Sequence, residues 1–339
     1  MTLAERLVAT WYTPRVTLLA LLLWPLSLLY RVVVAVRRGL FTAGILRTQH
    51  LAVPVLVVGN LTVGGVGKTP LADALALHLA QRGYRPGIVS RGYGGSNRAP
   101  RAVIAGDDPA VVGDEALIHA GTAHPVWIGH DRVAAGRALL AANPTCNVII
   151  ADDGLQHCAL ARTMEIAVID ASRAFGNGFL LPAGPLREPR SRLREVDAVV
   201  RLVARDVARP PATDGRQTLM AYEALPWRNL RNPQLEADPA QMQGRKVHAL
   251  TGIGNPQRFF DQIAALGIAA TCHAFPDHHA FTPADIAFPG AVAILMTQKD
   301  AVKCAAFADE RCWYLPLRAM VDPALLALVE EKIHGFQAA

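Results

Sequence analysis

Charge and aromaticity are both scarce in this 339-residue chain: Asp, Glu, Lys and Arg make up 18% and Phe, Trp and Tyr 6%, against 52% hydrophobic residues. That balance excludes a disordered or fibrous protein, and a length above about 250 to 300 residues favours more than one globular unit. The five cysteines, Cys146, Cys158, Cys272, Cys304 and Cys312, are odd in number and form no CxxC pair. Neither a disulfide framework nor a zinc ribbon fits them, so a reducing cytosolic environment is the simplest expectation. No basic face interleaved with aromatics can be traced, which argues against a nucleic-acid partner. Internal repeats and low-complexity tracts are also absent.

Acidic residues are nearly missing from the first fifty positions, where Glu5 alone faces Arg6, Arg15, Arg31, Arg37, Arg38 and Arg47. This short stretch therefore holds five of the six net positive charges, and the rest of the chain is close to neutral. Within it, residues 16–30 (VTLLALLLWPLSLLY) are almost wholly apolar, yet the run is shorter than the roughly 20 residues of a comfortable membrane span. A cleaved signal peptide is disfavoured, because the run continues through Arg31 into VVVAV and then Arg37-Arg38 instead of ending in a small-residue site. Trp11, Tyr12, Trp24 and Tyr30 suit a headgroup boundary, and the trailing arginines suit an anionic membrane surface. A helix spanning the bilayer or lying in one leaflet is expected, with a buried core helix as the other reading.

Beyond residue 47, short apolar runs alternate with helical stretches: VPVLVVGN (53–60), PLADALALHLAQRG (70–83), RPGIVSRG (85–92), CNVIIADDG (146–154) and MEIAVIDA (164–171). Buried strands alternating with amphipathic helices predict a parallel sheet covered on both faces. DAVVRLV (197–203) adds a strand, and the Pro- and Arg-rich segment 205–215 reads as a linker or exposed loop. A second unit is expected from about residue 226, with strand-then-helix order in 246–267, in 291–307 and again at WYLPL and PALLALVEEKI.

The first apolar strand runs into LTVGGVGKTP (61–70), so a flexible loop of Thr62, Val63, Gly64, Gly65, Val66 and Gly67 delivers Lys68 and Thr69 to a helix start. Backbone amides free to face phosphates, a lysine for the β and γ oxygens and a hydroxyl for Mg²⁺ are the parts of a P-loop. Strictly the pattern asks for Gly at 62, where Thr stands, and Gly64 and Gly65 supply the flexibility later. Asp152 and Asp153 end an apolar strand at the position where a carboxylate meets the metal, although a turn cap would also use them. His157 follows within DDGLQH, close enough to orient a carboxylate or phosphate.

Asp114 and Glu115 stand at an expected helix start in GDE, where ordinary helix acids also occur. Phosphoryl transfer needs a carboxylate to take the acceptor's proton, and Asp114 is the candidate. FPDHH supplies Asp277, His278 and His279; without a third ligand at helical spacing, a histidine paired with a carboxylate base is the sharper reading than a metal site. LPAGPLREPRSRLRE carries Arg187, Glu188, Arg190, Arg192 and Arg194, either a solvated surface or a loop offering guanidinium groups to an anionic headgroup.

Taken together, GNLTVGGVGKTP, SRGYGG, GDE, DDGLQH, LPAGPLREP, GNPQRFF, FPDHH and MTQKDAVK occur in that order up to residue 303. In this the chain resembles the tetraacyldisaccharide 4′-kinases, the lipid A 4′-kinases of Gram-negative bacteria. The resemblance implies ATP- and Mg²⁺-dependent phosphorylation of a membrane-embedded lipid A disaccharide precursor at the cytoplasmic face of the inner membrane. It implies an α/β fold: a P-loop NTPase-type parallel sheet with helices on both faces, a second smaller α/β lobe and an N-terminal membrane helix. The corresponding division is a membrane-associated segment 1–47, a kinase core 48–225 and a C-terminal lobe 226–339. Carried over by position, residues 62–69 would bind ATP, with Lys68 also catalytic. Thr69, Asp152 and Asp153 would serve the metal, Asp114 would be the base, and His278 rather than His279 would assist it. Glu115, His157, Arg187 and Glu188 would be supporting groups. Val66 and Gln298 stand where the family pattern has Thr and Glu, and neither side chain is required by this chemistry. A membrane-bound P-loop ATPase that switches a protein partner is the alternative from another functional class.

Overall fold

The computed structural model describes residues 3–13, 15–204 and 216–336. The expected linker 205–215 lies outside the described residues. Two N-terminal helices, α1 Leu3–Trp11 and α2 Leu18–Thr42, precede the first strand. Strands β1 Val55–Gly59, β2 Pro86–Ser90, β3 Arg101–Val103, β4 Val126–Ile128, β5 Val148–Asp152, β6 Met164–Asp170, β7 Ala198–Leu202 and β8 Gln217–Ala224 then build one sheet. Helices α3 Lys68–Gln81, α4 Pro109–Val112, α5 Asp114–Ala120 and α6 Arg132–Ala142 connect them. A second sheet holds β9 Trp227–Asn229, β10 Glu236–Ala237, β11 Val247–Thr251, β12 Ala270–Ala274, β13 Ala293–Thr297 and β14 Cys312–Leu315, with α7 Pro256–Ala265 and α8 Gln298–Cys304. The chain closes with β15 Leu317–Val321 and α9 Pro323–His334.

The first sheet has the order β15-β8-β7-β6-β1-β5-β2-β4-β3 and is parallel except where β3 meets β4 and β15 meets β8. Its central strands are buried throughout because helices cover both faces. Along β1 the side chains alternate: Leu56 and Val58 join Leu71, Leu75 and Leu79 of α3 in one core, whereas Val55 and Val57 join Val133 and Leu139 of α6 in the other. The second sheet, ordered β10-β9-β14-β13-β11-β12, is likewise two-faced, with Trp227, Phe259 and Ile263 on one side and Phe281, Ile286 and Cys304 on the other.

The C-terminal boundary differs from the expected lobe 226–339. Only β14 of the closing strand–helix unit belongs to the second sheet; beyond Pro316 the chain pairs β15 antiparallel to β8. Leu325, Val329 and Ile333 of α9 then fill the core that α3 also lines. The apolar stripe of α9 is thereby buried against the larger sheet.

At the other end, Arg31 does not interrupt the apolar helix. Helix α2 runs unbroken through Pro25 for 25 residues, with a mean hydropathy of 2.1 over an 18-residue window, long and apolar enough by length and composition to cross a membrane. Leu18, Leu22 and Leu29 are 73%, 68% and 62% exposed, so the reading as a buried core helix fails. One narrow face is anchored: Ser27 Oγ donates to the Leu180 carbonyl at 2.8 Å and accepts from the Ala183 amide at 3.0 Å. Lower down, the Tyr30 hydroxyl donates to the Arg187 carbonyl at 3.1 Å, and Arg38 pairs with Glu188 at 3.1 Å and with Glu195.

Candidate active site

The loop between β1 and α3 adopts the conformation that a phosphate cradle needs. Gly67 caps α3 at φ 95°, and a Cβ there would lie 2.4 Å from the Tyr222 hydroxyl, so glycine is required on two counts. The amide of Asn60 steadies the loop by donating to the Gly64 carbonyl at 3.3 Å, and Asn60 Oδ1 accepts from Lys68 Nζ at 3.2 Å. Thr62 is buried under the loop, whereas Val63 is exposed at its crest.

Two carboxylates that are neighbours in sequence have separate partners. Asp152 is wholly buried, and its Oδ2 accepts from Thr69 Oγ1 at 2.9 Å and from His119 Nε2 at 3.0 Å. His119, on α5, reaches Asp73 of α3 with its other ring nitrogen at 2.5 Å. Burial alone would depress the imidazole, but Asp73 and Asp152 outweigh it and lift its pKa to about 10, so it is an imidazolium. Asp153, held at φ 50°, instead faces cations: Lys68 Nζ at 3.2 Å and the Arg187 guanidinium at 2.9 and 3.1 Å in a bidentate pair. Burial opposes its ionisation, yet Lys68 and Arg187 hold the carboxyl far below the usual range.

The donor set suits Mg²⁺ bound together with nucleotide. Thr69 and Asp152 present adjacent hard oxygens, and among the described residues no group of three His, Cys, Asp or Glu forms an all-protein metal cage. Magnesium prefers one or two carboxylates completed by phosphates and water. Asp153, expected beside Asp152 at the metal, is already bidentate to Arg187 and paired with Lys68.

A second cluster joins the lobes. Asp114 at the start of α5 is 4% exposed, and its Oδ2 lies 3.0 Å from His278 Nδ1 in the FPDHH loop. His278 itself has φ 60° and packs against the Tyr93 ring at 4.8 Å between centroids. Burial would raise the Asp114 carboxyl, but the His278 hydrogen bond and the Lys299 ammonium prevail and keep it below its ordinary value. Lys299 of α8 is the hub: its Nζ lies 3.2 Å from His278 Nε2, 3.3 Å from Asp277, 3.5 Å from Glu115 and 3.9 Å from Asp114. His279 points elsewhere, to Asp285 at 3.3 Å and the Phe275 ring.

The remaining expected residues divide. Glu188 is buried and accepts from Gln156 at 2.7 Å and from Arg38, so it ties α2 to the loop behind Asn60. His157 turns away from the phosphate loop, with Asp131 its nearest charged partner at 3.9 Å. Burial and then the Arg132 guanidinium push its pKa down to about 4. Its neighbour Gln156, unnoticed in the sequence, makes the contact to the Asn60 carbonyl at 3.1 Å. Arg192 is buried and pairs with Glu165, whereas Arg190 is exposed and lies over the Phe175 ring.

Between the lobes opens a cleft of about 800 Å³. Gly65 to Thr69 and Asp73 form one wall, Arg258 and Lys299 the other. Arg258 also pairs with Asp170, and Arg173 donates to Asn255 at 3.1 Å, both across the lobe junction.

Comparison with known proteins agrees with this arrangement over almost the full length. The family profile described as tetraacyldisaccharide-1-P 4′-kinase matches residues 19–334. The chain is 49% identical over 322 residues to the tetraacyldisaccharide 4′-kinase of Chromobacterium violaceum, covering 93% of this chain and 94% of that protein. Against the enzyme of the same name from Dechloromonas aromatica it is 46% identical, covering 99% and 100%. The fold is similar to the crystal structure of the "apo" form of LpxK from Aquifex aeolicus in complex with ATP: TM-score 0.78, 30% identity, 93% of this chain and 100% of that one. A phosphate cradle, a buried carboxylate–histidine pair and relatives matched end to end leave one assignment: the chain belongs to the tetraacyldisaccharide 4′-kinase family.

Proposed function

We propose that this chain transfers the γ-phosphoryl group of ATP to the 4′ hydroxyl of a tetraacylated glucosamine disaccharide 1-phosphate, at the cytoplasmic face of the inner membrane. Family membership supports the activity, and the 3.0 Å pairing of Asp114 with His278 is the observation that carries the mechanism. Asp114 takes the sugar hydroxyl's proton, and His278 orients that carboxylate from the second lobe. Lys299, against both, keeps the base ionised.

On the donor side, Lys68 and the amides of residues 62–69 hold the β and γ phosphates, since phosphoryl transfer asks mainly for positioning and charge neutralisation. Thr69 and Asp152 would hold Mg²⁺, which when bound neutralises charge on the phosphate oxygens. Asp153 positions Lys68 and Arg187 rather than binding the metal directly. Division into a membrane segment, a kinase core and a smaller lobe follows, with β15 and α9 assigned to the core. The exposed apolar face of α2 supports docking on an anionic membrane, where the lipid acceptor is found. A P-loop ATPase switching a protein partner has no such support.

The test is transfer of γ-labelled phosphate from ATP to detergent-dispersed tetraacyl disaccharide 1-phosphate by the native protein and by Asp114→Ala. Transfer by the native protein that falls by roughly 10²- to 10⁴-fold in the variant, with ATP binding retained, is the expected result. No transfer by the native protein would overturn the assignment.

A further inference from the structure

Gly252, Ile253 and Gly254 form the bend that leads from β11 to α7, and the FPDHH loop rests on it. The His278 amide donates to the Gly252 carbonyl at 3.1 Å. A Cβ on Gly252 would lie 3.0 Å from the Pro276 carbonyl oxygen and 3.2 Å from the His279 Cβ, so loop and bend are in close contact. Packing of this density passes a shift of the bend on to the loop. His278 depends on that support, because at φ 60° it holds a left-handed conformation that persists only where its surroundings impose it.

The bend is gripped in turn by Asp300 of α8, a wholly buried carboxylate that the mechanism above does not use. Its Oδ1 accepts from the Gly252 amide at 3.1 Å and pairs with Lys303 Nζ at 2.9 Å. Its Oδ2 accepts from the Thr251 hydroxyl at 2.8 Å and the Thr297 hydroxyl at 2.6 Å. Four partners fill the acceptor sites of a carboxylate, so Asp300 acts through its neighbours and not on a ligand. The preceding residue, Lys299, reaches His278 Nε2 at 3.2 Å. The first turn of α8 thus holds the His278 ring directly and the His278 main chain through Gly252.

We propose that Asp300 is a positioning residue for phosphoryl transfer: by fixing the Gly252 peptide it places His278 against Asp114. The inference rests on the kinase reading above, with Asp114 as the base.

Loss of the Asp300 charge would strand the buried Lys303 ammonium, so the test is run in a Lys303→Met background. There, Asp300→Ala removes the acceptor for the Gly252 amide and Asp300→Asn keeps one. Relative to Lys303→Met alone, Asp300→Ala is expected to lower kcat by roughly ten- to a hundredfold, and Asp300→Asn to recover most of the loss. The pH profile also moves. Burial raises the Asp114 carboxyl, while the His278 hydrogen bond, then Lys299 and the charges of His278 and Lys303, lower it. With His278 withdrawn the carboxyl titrates higher, so the acid limb of kcat/KM shifts to higher pH in Asp300→Ala and returns in Asp300→Asn. An acid limb that stays in place, or a loss that Asp300→Asn does not recover, overturns the proposal.

A second readout requires no transfer: the ¹⁵N resonance of His278 Nδ1, assigned by its loss in His278→Gln. In Asp300→Ala it should move in the same direction as in Asp114→Asn. A resonance unmoved from its place in Lys303→Met overturns the proposal, even if the native protein transfers no phosphate and the kinase reading falls. Should these variants not fold, Thr251→Val in the native background takes their place, since it removes one hydroxyl donor to Asp300 and keeps the charge pair. A smaller displacement of the same resonance in the same direction supports the proposal, and none overturns it.

Discussion

His119 and Asp152 share a hydrogen bond, Nε2 to Oδ2 at 3.0 Å, in which neither side chain has any solvent exposure. The imidazolium also contacts Asp73, so one cation from α5 locks the end of β5 to the first turns of α3.

Removing that cation leaves a buried carboxylate held by neutral donors, the Thr69 hydroxyl and the Asp153 amide. His119→Ala is expected to destabilise the fold by about 3 to 5 kcal/mol, with a smaller loss for His119→Gln, which keeps one hydrogen bond. Urea denaturation of the three proteins checks this, and a His119→Ala midpoint equal to the native one would contradict it.

His157 gives stability a specific pH dependence. Its pKa falls from 6.5 to about 4 on folding, so between these values the unfolded chain binds a proton that the folded chain refuses. Its contribution is complete above pH 6.5 and is lost as pH falls through about 4, amounting to at most about 3 kcal/mol. In melts from pH 7 to pH 4, His157→Asn should lose stability less steeply than the native protein. Parallel curves would refute the assignment.

Leu22 and Leu29 are exposed and bear no load in the fold. Replacing both with Glu is expected to leave the melting temperature within about 1 kcal/mol equivalent of the native value. Vesicle flotation with anionic lipid should fall steeply and ATP binding should not change. Retained flotation would mean that α2 does not meet the membrane through this face.

The phosphate loop is legible in the sequence because a local rule fixes it, glycines before Gly67-Lys68-Thr69, whereas the pairing of Asp114 with His278, 164 positions apart, is expected only from the family resemblance. His119 is not legible, because it sits inside an apolar helix and its two partners come from positions 73 and 152. Lys299 stands in a noted motif but gains meaning only when the smaller lobe folds against Glu115 and Asp114. Sequence adjacency of Asp153 to Asp152 suggests a shared metal, and the fold adds what the sequence does not show: at φ 50° Asp153 faces Lys68 and Arg187.

The return of β15 to the larger sheet makes the smaller lobe an insertion tethered at both ends. Its two tethers run side by side, with the Leu225 amide donating to the Pro316 carbonyl at 3.0 Å. During synthesis, therefore, the β8 edge waits uncovered until the whole inserted lobe has left the ribosome, and a nascent chain stopped anywhere before residue 317 exposes a strand edge open to wrong partners.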